Sequence, residues 1–202
     1  MPTDTASLHG IAPDTARVAL VIVDMINDLD FDGGAALLRH ALPRARRLAT
    51  LARQARKRRI PVIYANDNFG RWRSSFADVV DYCRGEEVRG RPLVELLAPE
   101  PDDYIVIKPK HSAFFATPLQ TLLGYLGVRR LVIGGVSGDV CILFTAHDAY
   151  MLDYELHVPS DCIASVSPDE NRRTLSYLRR VMSADTTPST RLDLAALNRR
   201  SG

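Results

Sequence analysis

The run RVALVIV at residues 17–23 constrains this chain more than any other segment. It is apolar, mostly β-branched, and shows no alternation with polar residues. A strand buried on both faces reads this way, and such strands belong to parallel sheets with helices on either side. The rest of the chain fits that start. Strand-like segments at residues 59–65, 104–107, 130–133 and 155–158 alternate with helical patterns, and a last short strand is expected near Ala184. Strand–helix alternation requires right-handed crossovers. The expected fold is therefore α/β: a single domain with a doubly wound, Rossmann-like parallel sheet of five or six strands and helices on both faces. A chain of 202 residues fills one good-sized core and is short for two. The expected organisation is a polar arm over residues 1–16, one domain over 17–187, and a polar tail over 188–202.

The helical segments carry their own signals. In residues 35–58, Leu37, Leu38, Ala41, Ala45, Leu48, Leu51, Ala52 and Ala55 recur at helical spacing, and Pro43 is expected to break or kink the helix near its start. Thr117 and Pro118 open a helix running to Leu126, and Ser167 caps one over residues 168–182. Residues 66–91 read as a long irregular stretch rich in aromatics and charges, followed by a short helix at 92–97. Long irregular stretches in compact domains are often functional.

Composition excludes several classes of partner. A net charge of +2 gives no argument for nucleic acid or a membrane surface. The three cysteines, Cys83, Cys141 and Cys162, are few, odd in number and far apart. That is no disulfide framework, and it suits a reducing compartment. Residues 1–13 are polar and lack the charged-then-apolar layout of a signal peptide, and no apolar run approaches a membrane span. A cytoplasmic protein acting on a small molecule is expected.

The chemistry concentrates at residues 130–141, RLVIGGVSGDVC. A short apolar run ends in a glycine-rich turn, and Cys141 then sits at the mouth of a helix expected to run to about Leu152. Free N–H groups and the positive helix end there favour a thiolate and can also hold an oxyanion. The plainer reading is a small buried hydrophobe, the common fate of a cysteine. Two more reactive residues fall at strand ends: Asp24 after the first and Lys108 after the third. Asp24 could merely cap the next segment, and Lys108 could be a solvated lysine. Ligands of open α/β sheets bind at the carboxyl ends of the strands, however. Together the three residues make a set for cysteine hydrolysis: a thiolate nucleophile, an ammonium that favours it, and a carboxylate that moves the proton.

Those residues lie in motifs: LVIVDM at 20–25, KPKHSAFFATPL at 108–119, GVSGDVC at 135–141, TAHDA at 145–149 and PSD at 159–161. In this the chain resembles the isochorismatase-like cysteine hydrolases, over residues 17–182. That superfamily includes nicotinamidases, N-carbamoylsarcosine and ureidoacrylate amidohydrolases, and isochorismatases. The resemblance implies that Asp24, Lys108 and Cys141 are the catalytic aspartate, lysine and nucleophile. It also implies a cis peptide between Val136 and Ser137, with the Ser137 and Cys141 N–H groups forming the oxyanion hole. Homo-oligomers are common in the family, so a homo-oligomer is expected. Two positions depart from the usual pattern: Ile26 stands where many members have glutamine, and Gly138 where threonine is usual. Metal-dependent nicotinamidases carry an aspartate and histidines after the second strand. The matching stretch here, residues 64–72, has no histidine, so neither a metal nor another cofactor is expected. Asn68, Phe69, Arg71 and Trp72 are the candidate substrate-binding residues. His111 and His147 lie near the motifs and read as surface or supporting residues.

The leading expectation is hydrolysis of a C–N bond in a small amide, ureido or carbamoyl compound through a thioester. The alternatives are vinyl-ether hydrolysis with Asp24 as general acid, and a catalytically silent binding protein on the same fold.

Overall fold

The computed structural model describes residues 15–199. The expected arm over 1–16 thus lies almost wholly outside the described residues. The chain winds as β1 (Val18–Val23), α1 (Gly34–Lys57), β2 (Val62–Asp67), α2 (Phe76–Cys83), α3 (Arg91–Leu97), β3 (Tyr104–Lys108) and α4 (Leu119–Leu126). It continues through β4 (Arg130–Val136), a π-helical turn (Gly138–Ile142), α5 (Leu143–Met151), β5 (Glu155–His157), β6 (Ile163–Ala164) and α6 (Pro168–Met182). A 3-10 turn (Ser189–Arg191) and α7 (Leu194–Leu197) follow. The strands form one six-stranded sheet in the order β3-β2-β1-β4-β5, with β6 pairing the far end of β4. Every pairing is parallel.

All six residues of β1 are buried, and they feed two cores in alternation. Val18, Leu20 and Ile22 join Leu37, Ala41, Leu48, Leu51 and Ala55 of α1 on one face. Ala19, Val21 and Val23 join Leu123, Ala146, Ala149 and Leu178 from α4, α5 and α6 on the other. This is the double burial that a non-alternating apolar run demands.

Away from the strand ends that carry Asp24, Lys108 and Cys141, the structure departs from expectation in several places. The helix α1 runs unbroken through Pro43, whose ring lies on the exposed face, where water can serve the backbone carbonyl that loses its donor. The stretch expected to be irregular contains α2, closed by a capping box in which Ser75 and Asp78 satisfy each other's backbone N–H. The helix α4 begins one residue late, with Pro118 in the cap position, although the Thr117 hydroxyl still accepts the Leu119 N–H at 3.2 Å. Near Ala184 there is a single bridge between His157 and Asp185, and the sixth strand is β6 instead. The segment read as a polar tail folds into α7 and buries Leu194; Asn198 Oδ1 accepts the Arg17 N–H at 2.8 Å, tying that end to the start of β1. The α6 helix starts as expected, with the Ser167 side chain accepting the Asp169 N–H. Among the described residues no helix is long and apolar enough to cross a membrane.

Candidate active site

Three strand ends build the site. Asp24 follows β1 directly, in the left-handed backbone region with φ 51°, a conformation that aspartate tolerates better than most residues. Lys108 is the last residue of β3, which lies beyond β2, so it does not neighbour β1. The two strands are two spacings apart, about 9–10 Å, and a long side chain reaching toward the aspartate is needed to close that gap. It passes Asp67, its partner in the β2–β3 register, and its Nζ reaches Asp24 Oδ2 at 2.8 Å. The same Nζ donates to the Lys110 carbonyl at 3.0 Å and lies 3.7 Å from Cys141 Sγ. The other Asp24 oxygen accepts the Asp67 N–H at 2.9 Å. Lys108 and Asp24 are 1% and 5% exposed, and Cys141 is partly exposed above them.

Cys141 does not open an α-helix as expected; it is the fourth residue of the π-helical turn. There, the Ser137 carbonyl accepts the N–H groups of Val140 (3.2 Å) and Ile142 (3.1 Å), and among the described bonds not that of Cys141. The Ser137 N–H is among the groups that favour ionisation of the Cys141 sulfur. The Val136–Ser137 peptide is cis. Two glycines make room for the turn. Gly135 has φ 131°, and a Cβ on it would sit 2.0 Å from the Val23 carbonyl oxygen of β1. A Cβ on Gly138 would meet Asn171 Oδ1 at 2.6 Å and Ser165 Oγ at 2.9 Å. Side chains from α6 and the end of β6 fill the space that a threonine at 138 would occupy. Ile26, the other departure, is fully buried in the α1-side core, and its backbone is clamped by the Asn66 amide at 3.1 and 2.8 Å.

The segment after Lys108 is pinned to α5, and this explains the TAHDA motif. Thr145 Oγ1 accepts the Ala113 N–H at 3.0 Å, and Ser112 Oγ donates to Asp148 Oδ2 at 2.5 Å. The pinning holds the lysine strand end and the cysteine turn in one register. It also brings His111 Nδ1 to 3.9 Å from Cys141 Sγ, with the ring tilted against Phe144 at 5.6 Å between centroids. Sequence reading treated His111 as peripheral, although its place three residues after Lys108 was a signal.

Burial sets the electrostatics. It pushes the Asp24 carboxyl above its ordinary range, against the opposing pull of the Lys108 ammonium and of hydrogen bonds from Cys141, Lys108 and Asp67. Burial works against the Lys108 ammonium, but Asp24 and Cys141 outweigh it, and the net direction is up. The geometry therefore favours a charged Lys108, with Asp24 poised to take a proton. The Cys141 thiol is pushed up to about 12, first by burial and then by the Asp24 carboxylate; Lys108 and the Ser137 N–H offset only part of this. Burial and the Asp24 carboxylate thus work against the thiolate that the helix terminus and the lysine were expected to favour.

The four residues singled out after β2 have different settings. Phe69 and Arg71 line a small cleft of about 120 Å³ with Ser74, Asp78, Val79 and Tyr82. The Arg71 guanidinium stacks 5.6 Å over the Tyr82 ring. Asn68 is buried, and its Oδ1 closes the turn by accepting the Gly70 N–H. Trp72 is 72% exposed.

An isochorismatase domain model matches residues 18–188. The chain belongs to the isochorismatase family. It is 41% identical over 172 residues to the isochorismatase family protein YaaI of Bacillus subtilis, covering 85% of this chain and 94% of that protein. It is 34% identical over 169 residues to a probable inactive nicotinamidase of Arabidopsis thaliana, covering 76% of this chain and 83% of the plant protein. N-carbamoylsarcosine amidase from Thermoplasma acidophilum shares the fold, with a TM-score of 0.64 at 23% identity over 88% of this chain and 99% of that one. The protein is thus an isochorismatase-family hydrolase with the single-domain α/β sheet of that family.

Proposed function

We propose that this protein is a cysteine-dependent hydrolase of a C–N bond in a small amide, ureido or carbamoyl compound. The observation that carries the reading is the buried Lys108 ammonium, 2.8 Å from Asp24 and 3.7 Å from the Cys141 sulfur. Asp24 takes the thiol proton as the sulfur attacks the carbonyl carbon, and Lys108 faces both anionic partners. The N–H groups of Ser137 and Cys141 receive the oxygen as it becomes anionic. The C–N bond then breaks, Asp24 passes its proton to the leaving nitrogen, and a thioester remains on Cys141. Water, giving a proton to Asp24, attacks the thioester, and the acid product leaves as that proton returns to the sulfur. Phe69, Arg71 and Trp72 are the proposed source of substrate contacts beyond the reacting atoms, and Asn68 shapes the turn that carries them. The reading implies a cytoplasmic homo-oligomer that needs no cofactor.

The test is mass-spectrometric trapping of an acyl group on Cys141 during turnover of a panel of small amides, with ammonia release measured in parallel. An acyl adduct that is absent, with full activity in Cys141→Ala, overturns the reading. One observation favours a second reading. A carboxyl raised by burial is a proton donor, which is what Asp24 must be in a vinyl-ether hydrolase. In that case Cys141→Ala would still turn over isochorismate. Loss of both activities in the unmodified protein would leave a silent binding protein.

A further inference from the structure

The proposed chemistry sends the thiol proton inward, to Asp24. The sulfur has a further partner on its outer side. His111 Nδ1 stands 3.9 Å from Sγ, and the imidazole is exposed to solvent. The ring is not loose. Phe144 of α5 lies against it, and the backbone of the next two residues is fixed through Ser112 to Asp148 and through Ala113 to Thr145. We infer that His111 is a second acid–base group at the reacting sulfur: before substrate binds it draws off the Cys141 thiol proton in a thiolate–imidazolium pair at the mouth of the site, and it gives the proton back when attack begins and the transfer to Asp24 takes over.

The step is a proton transfer with no change in net charge. The S–H bond breaks, its electron pair stays on sulfur, and an N–H bond forms at Nδ1. It differs from the inward route in what it leaves behind. A proton on Asp24 removes the carboxylate facing Lys108 at 2.8 Å, whereas a proton on His111 leaves that pair intact. The result is an alternating arrangement of carboxylate, ammonium, thiolate and imidazolium, each facing an opposite charge. The imidazolium also counters the Asp24 carboxylate, the charge that most opposes ionisation of Cys141. His111 is exposed and can exchange protons with solvent directly, whereas Asp24 is buried. The titratable groups on the elements that meet here are Cys141 in the π-helical turn, which His111 faces, Asp24 after β1 with Lys108 at the end of β3 beside that sulfur, Lys110 on the histidine's own segment, and His147 and Asp148 on α5. Two of these are engaged elsewhere: Asp148 by Ser112, and His147 by the Leu143 carbonyl and the Tyr177 hydroxyl.

This inference rests on the proposed cysteine chemistry, and the experiment separates the two. The rate of Cys141 alkylation by iodoacetamide is followed by mass spectrometry from acid to alkaline pH, in the full chain and in His111→Gln. Cys83 and Cys162 are buried and serve as internal references. Near pH 7 the unmodified protein is expected to react ~10-fold faster or more than the variant, because the thiolate is the nucleophile and glutamine cannot take its proton. The gap should narrow as pH rises, because hydroxide then supplies the thiolate in both proteins. A merely structural His111 would shift the rates equally at every pH, and that parallel shift, like superimposable profiles, overturns the inference. If either result comes with an inactive Cys141→Ala, the amidase reading stands and only the role of His111 falls. If Cys141→Ala retains amide hydrolysis, the underlying reading falls as well.

Discussion

Lys108 is charged in a place where charge is expensive, and Asp24 is the reason it can stay so. Both are nearly fully buried, and each would be an uncompensated polar group without the other. This changes what a substitution at Asp24 should do. Asparagine has nearly the same shape and can still accept the Asp67 N–H, but it neither carries the proton nor balances the lysine. Asp24→Asn should cut turnover by ~100-fold or more, the weight of a positioned acid–base group. It should also lower stability by about 3–5 kcal/mol, because the buried ammonium loses its partner. The double variant Asp24→Asn with Lys108→Met separates the effects: denaturant unfolding should show stability largely restored, while activity stays lost. A double variant that recovers activity would show the pair to be structural.

At the scale of elements, the site depends on which pieces are locked and which are lightly held. The π-helical turn is locked from three sides. Gly135 lies against β1, Gly138 lies under Asn171 and Ser165, and the segment from Lys108 is tied to α5. The helix α2 is held differently. It is short, it sits in the stretch after β2, and its start depends on the Ser75–Asp78 capping box. Ser75→Ala should cost about 1 kcal/mol, the usual weight of an N-cap hydroxyl. In a chain of this size that is a fall of ~2–4 °C in Tm. Because α2 supplies Asp78, Val79 and Tyr82 to the cleft shared with Phe69 and Arg71, the same variant should raise KM more than it lowers kcat. Thermal melts and steady-state kinetics check both, and an unchanged KM would separate that cleft from the substrate.

On the scale of the whole molecule, catalysis is expected to run on the chain's own groups. The stretch after β2 has no histidine, and its Asp67 already uses Oδ1 to accept the Phe69 N–H at 2.7 Å. Activity should therefore be unchanged after dialysis against a strong chelator, with metal content followed by mass spectrometry. Recovery of a lost activity by added zinc or iron would show that this stretch holds a metal after all.

What the sequence determined by itself was periodicity and order. RVALVIV could only be a doubly buried strand, and the strand–helix alternation implied a parallel sheet with reactive residues at its carboxyl edge. Motifs at Asp24, Lys108 and Cys141 named the family and the three residues. Tertiary structure decided what those residues are to each other. No local pattern says that β2 lies between the strands of Lys108 and Asp24, because strand order is set by crossovers over long separations in the chain. Nor does one say that Cys141 sits inside a π-helical turn, since a one-residue change in winding leaves the apolar spacing almost untouched. The helix α2 was readable from Ser75 and Asp78, yet the charges around it hid it. The electrostatic setting of Cys141 was beyond the sequence altogether: a helix end and a lysine favour a thiolate, whereas burial and the Asp24 carboxylate oppose it, and both exist only once the chain has folded.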